Sequence, residues 1–454
     1  MLFRSYQDGR QRTFGLYVQD TWKVLPRLTV NLGLRWEPYL PLQRADGAVS
    51  HFDFASFMNG TRTSQFTKAP PGLFYPGDPG FPENSGTYRV WNNFSPRIGL
   101  AWDPMGDGKM SVRAAFGMFY DFQNMLYFNN TSLIPPWTPR IGLRNVSLDD
   151  PWKTYPGGNP FPLAFNKDAP FPLASVYPNM RYDTKNPSVR SWNLSIQRQI
   201  GTQWVVSATY LGNQSIHIWA SQNINPAIFI PGASTTANTE ARRFLTLQNP
   251  TYGPYFAKMI YADDGGTASY EGLLLTAERR FNKNLSFNAN YTWSHCINDG
   301  ESTMNLTNQR QQITSRDRGN CPLDRRQVFN LSALASSPKF NNSWLERFAG
   351  GFQFSSILGF SSGPYSTVTT GATDSLAGTA TDRPNLVGNP TIDNPTFNRW
   401  FNTTAFQGAG TGKFGNVGRS TMRAPGFINA TLGLSRKARV TERFNVEEIG
   451  RAHV

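Results

Sequence analysis

The stretch Arg27-Leu-Thr-Val-Asn-Leu-Gly-Leu-Arg-Trp-Glu37 decides the fold. Leu28, Val30, Leu32, Leu34 and Trp36 fall on alternate positions, with Thr29, Asn31, Gly33, Arg35 and Glu37 between them. Successive strand side chains point to opposite faces, so this stretch predicts a β-strand with one apolar and one polar face. The same period-two pattern recurs in Met110–Tyr120, in Trp192-Asn-Leu-Ser-Ile-Gln197 and in Leu285–Ser294. No comparable run of helical periodicity is present, and the reading is all-β.

Working outward, the strands fall into pairs: about 13–22 with 28–37, 94–103 with 110–120, 190–199 with 204–211, 270–280 with 285–294, 326–336 with 350–362, and 424–437 with 442–447. Within most pairs the joint is short and carries turn residues, such as Leu25-Pro26, Asp103–Gly108, Ile200–Gln203 and Asn282–Asn284. Between pairs lie long connections of about 38–93, 121–189, 212–269, 295–325 and 363–423, rich in Gly, Pro, Asn and Ser. Loops this long are uncommon in a compact soluble domain. Strict short/long alternation puts every long loop at one end of an up-and-down sheet.

Strands of about ten residues, short turns on one side and long loops on the other describe an antiparallel transmembrane β-barrel. Hydrocarbon cannot satisfy free backbone N–H and C=O groups, so a sheet that crosses it has to close, apolar outside and polar within. Trp22, Trp36, Trp102, Tyr120, Trp192, Trp204, Tyr210 and Trp293 are placed near strand ends and form a candidate aromatic girdle. A soluble sandwich or solenoid would also alternate, but it would not require the asymmetry in loop length.

Composition agrees. The 454 residues are 39% hydrophobic and only 16% charged, where roughly 45–50% and 25% are usual for soluble chains. Aromatics reach 14%, yet mean hydropathy is −0.44. No run approaches the roughly 18–20 apolar residues of a membrane-spanning helix. The net charge of +14 is scattered, without a Lys/Arg stripe or a nucleic-acid-binding motif, so nucleic acid is not an expected partner.

Motifs that look chemical have simpler readings. Gly359-Phe-Ser-Ser-Gly363 matches a nucleophile-elbow pattern, but no helix is read after it and the only later histidine is His453. In Gly408–Lys413 the first glycine of a phosphate loop falls on Gln407, and Phe414 replaces the magnesium-binding hydroxyl. His51, His217, His295 and His453 lack metal-ligand spacing. Asp149-Asp150 and Asp263-Asp264 read as solvated loop charge. No catalytic, cofactor or metal site is expected, and the chain does not read as an enzyme. Cys296 and Cys321 bracket one long loop. An oxidising compartment would let them pair; two free thiols are the alternative.

At this point a family resemblance emerges. Phe14–Val24 with Leu28–Glu37, and Phe94–Asp103 with Val112–Asp121, look like strand pairs of TonB-dependent outer-membrane receptors. Tyr291–Ser294, Asp324–Leu331, Ser362–Tyr365 and Phe414–Gly426 follow in order, and together they most resemble the Oar-like subgroup. The resemblance implies a barrel of about 22 strands around an N-terminal plug, and a TonB box that couples uptake to the inner-membrane proton-motive force. It implies the cell outer membrane, with outer-membrane lipid, an unidentified transported ligand and the TonB complex, reached only through the plug, as partners. An oligosaccharide, a peptide or a chelated metal would each suit the wall. A passive porin-like barrel and a surface glycan-binding β protein are the alternatives.

No signal peptide, plug or TonB box is read ahead of the first strand, and about twelve strands are read. Residues 1–447 are therefore expected to be part of a larger barrel. After Glu447 the pattern gives way to Glu448-Ile-Gly-Arg-Ala-His-Val454, and one reverse translation of those residues contains the start of a short-read sequencing adapter. Residues 448–454 are expected to be a non-native tail.

Overall fold

The computed structural model describes residues 8–122, 131–143, 146–162, 165–282, 284–299, 317–378, 381–396, 398–439 and 445–453. Its framework is one sheet in which twelve strands follow each other in chain order. They are β1 (Leu16–Leu25), β2 (Leu28–Trp36), β3 (Phe94–Trp102), β4 (Met110–Tyr120), β5 (Ser188–Ile200) and β6 (Trp204–Asn223). Then come β7 (Phe256–Asn282), β8 (Leu285–Asn298), β9 (Gln327–Ser336), β10 (Phe352–Ser361), β11 (Phe427–Arg439) and β12 (Asn445–His453). Every neighbouring pair is antiparallel. Among the described residues no pairing joins β1 to β12, so the sheet is an open wall.

Register carries the alternation from strand to strand. Directly paired residues share a face, so a one-residue slip would invert the pattern. Val30 pairs with Leu100, Leu32 with Ile98 and Leu34 with Pro96. On the other face Asn31 meets Gly99 and Gly33 meets Arg97. The same apolar row continues through Val112, Ile196, Ala208, Leu275, Tyr291, Phe329, Phe360 and Ile428.

The strands differ from the sequence reading in one major place. The connection read as 212–269 is largely strand: β6 runs to Asn223 and β7 begins at Phe256, and they stay paired as far as Asn223 and Ile260. Crossing hydrocarbon takes about 9–11 residues. The 27 residues of β7 therefore carry this hairpin some tens of ångströms past it. Short helices also appear where none was read. The clearest is Ser343–Ala349 in the turn between β9 and β10, started by Asn342, whose side chain accepts from the Trp344 backbone N–H at 2.9 Å. Strand β12 runs past Glu447 to His453, into the residues read as a tail. The alternation does not: Glu448 falls on the apolar face opposite Arg436, and Ile449 on the polar face opposite Ser435.

The buried hydrophobic core lies outside the wall. Phe52, Phe57, Phe66, Leu73 and Tyr75 from the first long connection pack with Ile134, Phe171 and Tyr177 from the second, and with Leu245, Phe256 and Met259 from the third. All five long connections leave the wall at the same end, and the first three are sewn together by this cluster. A short strand, Ser175–Met180, runs parallel to the outer part of β7 and ties the second connection to the third.

Candidate ligand-facing wall and loop cap

The apolar face of the wall is exposed. Leu16, Val18, Trp22, Leu32, Leu34, Ile98, Leu194, Ile196, Trp293, Ile428 and Leu434 all stand open, Trp22 at 59% and Ile428 at 72%. An apolar surface this continuous is not tolerated in water. In a bilayer it is the surface that has to face lipid. By register, all eight residues of the candidate girdle lie on this face. Trp22, Trp102 and Trp204 sit toward the short turns. Trp36, Tyr120, Trp192 and Trp293 sit toward the long loops. Trp36 stacks on Trp91 and Phe94, and its indole N–H donates to the Trp91 carbonyl at 2.7 Å. Tyr210 falls inside β6 rather than at a strand end, because the strand continues to Asn223; its hydroxyl donates to the Glu271 carboxylate.

The opposite face is a lattice of short polar side chains bonded across strands. Thr21 donates to Asn31 at 2.8 Å and Asn330 to Asn290 at 3.0 Å. The Ser195 and Thr209 hydroxyls meet at 2.8 Å, and those of Ser207 and Thr276 at 2.6 Å. These four contacts join register partners, so they reinforce the pairing that the apolar face requires. Arg97 covers the Phe119 ring at 4.6 Å. Such a face can wet a lumen and hydrogen-bond a polar solute.

The cap is built as a small soluble domain would be. Asp53 caps the helix Phe54–Asn59 by accepting from the Ser56 N–H at 2.7 Å, and left-handed Gly60 ends it. That turn buries Phe57 completely, against Phe52 and Phe256. Gly72, at φ +84°, passes so close that a Cβ there would lie 2.7 Å from that of Phe57. Two buried polar side chains tie its segments together. Asp78 accepts from Thr63, Ser64 and the Tyr75 N–H. Asn225 bonds the carbonyls of Phe256 and Ala257 and accepts from the Leu245 N–H. Arg383 and Asp317 form a buried ion pair at 2.8 Å in the last two connections.

His51 bonds the Met180 carbonyl at 3.0 Å and stacks on Tyr182 at 4.0 Å. Burial pushes its imidazole below the ordinary histidine value, against the upward pull of that hydrogen bond and of Asp53 and Asp183. Cys296 lies near the end of β8 on the polar face and joins Cys321 in a disulfide with Cα atoms 5.4 Å apart. The Cys321 N–H donates to the Cys296 carbonyl, and Asp324 accepts from the Cys296 N–H, both at 3.0 Å. Together they close the base of the fourth long connection.

The other sequence candidates are not brought together. Ser361 of the elbow-like motif ends β10 and runs into a loop. Gly408–Lys413 is a turn in which the Lys413 N–H donates to Gly410. Asp150 and Asp263 bond nearby backbone N–H groups, and Asp264 bonds the Lys185 N–H. Among the described residues no three His, Cys, Asp or Glu side chains gather as a metal site. The cap core was missed in the sequence because its aromatics are spread over three connections with no period.

Solved outer-membrane proteins resemble this fold at low identity. The outer membrane transporter YddB from Escherichia coli is 8% identical with a TM-score of 0.46, over 95% of this chain and 39% of that one. The ferric enterobactin receptor PfeA from Pseudomonas aeruginosa is 12% identical with a TM-score of 0.42, over 96% and 38%. The FrpB iron transporter from Neisseria meningitidis is 10% identical with a TM-score of 0.40, over 95% and 39%. The chain thus spans well under half the length of these structures. No curated protein matches the sequence. The family described as an outer membrane beta barrel domain matches residues 2–448. With the one-sided wall and its aromatic rims, that match places the chain in the outer membrane, as a member of the outer membrane beta barrel domain family.

Proposed function

We propose that this chain forms part of the wall and the loop cap of a TonB-dependent outer-membrane receptor of the Oar-like kind. Its work is energy-coupled uptake of an oligosaccharide, a peptide or a chelated metal, with no catalytic chemistry of its own. The observation that carries this reading is the pairing of a lipid-facing wall with long connections that share a hydrophobic core. A passive pore needs a wide lumen and gains little from a folded cap. A receptor needs a rigid surface on which loops can hold a ligand. The polar face offers hydroxyl, amide and guanidinium groups to a solute moving along it.

Uptake by cells carrying the intact gene tests this. Labelled chitooligosaccharide, a labelled peptide and a ferric siderophore would be offered with and without a protonophore. Accumulation of one of them that stops with the protonophore, and in cells lacking TonB, is the expected result. Accumulation indifferent to both would mean a passive porin-like barrel.

A further inference from the structure

The short turns of an outer-membrane barrel face the periplasm. Residues 201–203 suffice for such a turn between β5 and β6, whereas residues 337–351 join β9 to β10. They hold the helix Ser343–Ala349, whose apolar side chains are bare: Trp344 is 70% exposed, Leu345 53% and Phe348 62%. Trp344 and Phe348 stand one helical turn apart and stack, with ring centroids separated by 5.2 Å. With Leu345 they form one stripe, and Ser343, Glu346 and Arg347 take the other side of the helix. The same turn carries the exposed cations Lys339 and Arg347. Its one carboxylate, Glu346, accepts from the Phe340 N–H at 2.7 Å.

The helix is tied to the lipid-facing side of the wall. Phe352 and Arg436 are register partners on the apolar face, next along it from Phe354 and Leu434. Arg436 covers the Phe352 ring at 4.9 Å and donates to the Arg347 carbonyl in the last turn of the helix. The Lys437 N–H donates to the Gly351 carbonyl at 2.9 Å. Gly351 sits at φ +75°, where a Cβ would lie 2.3 Å from the Lys437 carbonyl oxygen. These contacts fix where the turn leaves the sheet. Phe354 and Leu434 are themselves exposed on the lipid side, so the helix adjoins a surface that already faces hydrocarbon. A bare Trp, Leu and Phe stripe with cations beside it is the composition of a helix that lies in a headgroup layer.

We infer that the helix Ser343–Ala349 is an interfacial anchor that docks on the periplasmic leaflet of the outer membrane. The occupant of its apolar stripe is phospholipid. Trp344, Leu345 and Phe348 lie where headgroups meet acyl chains, and Lys339 and Arg347 reach the phosphates. The anchor fixes the depth of the β9–β10 hairpin whatever the barrel carries.

The test uses the intact parent protein in liposomes of phosphatidylethanolamine and phosphatidylglycerol, with its native disulfide left oxidised. An environment-sensitive fluorophore is attached at Leu345→Cys or at Ser343→Cys, and the lipids carry a nitroxide either near the headgroup or near the acyl terminus. The shallow nitroxide should quench position 345 at least threefold more than position 343, and more than the deep nitroxide does. Adding Trp344→Ser/Phe348→Ser should at least halve the quenching at 345. Heat-dependent gel mobility verifies that each variant is folded. Should the combined variant fail to fold, a photoreactive phospholipid on the unlabelled wild type should mark residues 344–348. Equal quenching at the two positions, stronger quenching by the deep nitroxide, or quenching at 345 that survives loss of both rings would each overturn the inference. So would absence of photolabel from residues 344–348, or a probe at 345 shielded from water and nitroxide alike, which would mean that protein covers the helix.

Discussion

Leu32 and Phe57 are both large apolar residues in one chain, and the structure treats them oppositely. Leu32, on the wall, stands 45% exposed, whereas Phe57, in the cap, is fully buried. Every buried hydrophobic residue among those described lies in a connection or in the outward extensions of β6 and β7. The wall has an apolar face without a protein core behind it; the cap has a core without a lipid face. The two regions solve the same problem for two solvents, one apolar and one aqueous.

That contrast can be broken most forcefully in the cap. Phe57→Ala should cost about 3–5 kcal/mol of local stability, as large core deletions do. Hydrogen exchange should then rise through residues 50–75 and 244–259, while the wall strands stay protected. Exchange rising equally in both regions would show that cap and wall are one cooperative unit. On the wall, Leu32→Arg should cost about 2–4 kcal/mol near the bilayer midplane. Asn31→Arg, one residue away, should be mild because it faces the lumen. Urea titration in liposomes, followed by heat-dependent gel mobility, compares them, and equal losses would mean the register is wrong.

The remaining predictions sharpen the picture of the cap. Cys296 and Cys321 are 25 residues apart, and closing a loop of that size is worth about 3 kcal/mol in the chain-entropy model. Denatured, unreduced protein should show no reactive thiol, and reduction should speed proteolysis within 297–320 without loosening the wall. His51 gives the cap a pH dependence. Its folded form takes up a proton less readily than its unfolded form, so its contribution is complete above the ordinary histidine range and falls as pH drops through it. Cap protection factors, corrected for the intrinsic pH dependence of amide exchange, should therefore fall from pH 7.5 to pH 5, and His51→Gln should flatten that fall. The smallest effect belongs to the polar lattice: Ser207→Ala should cost about 0.2–1 kcal/mol, since it removes one cross-strand contact with Thr276.

The wall was legible because lipid on one side and water on the other write a period of two into the sequence. Strands β3 and β4 were read to within a residue of their ends for that reason. The outer parts of β6 and β7 were not, because beyond the bilayer neither face has to be oily. There Gln214, Asp263 and Gly266 sit in paired strand, with Asp264 and Gly265 in a register irregularity, and no alternation runs through them. The cap core was invisible for a different reason: Phe52, Tyr75, Phe171 and Phe256 meet only through tertiary folding of three separate connections. The helix Ser343–Ala349 did leave a local signal, in the Asn342 cap and the Trp344, Leu345 and Phe348 stripe, though seven residues are too short for periodicity to speak.

Spin labels placed singly at positions 28–36 of the intact protein in liposomes test the central claim most directly. Collision rates with oxygen, which concentrates in hydrocarbon, and with a water-soluble nickel complex would be measured at each position. The account predicts period-two behaviour, with 30, 32 and 34 open to oxygen and 29, 31 and 33 open to nickel. A profile with no period, or with the phase inverted, would contradict it.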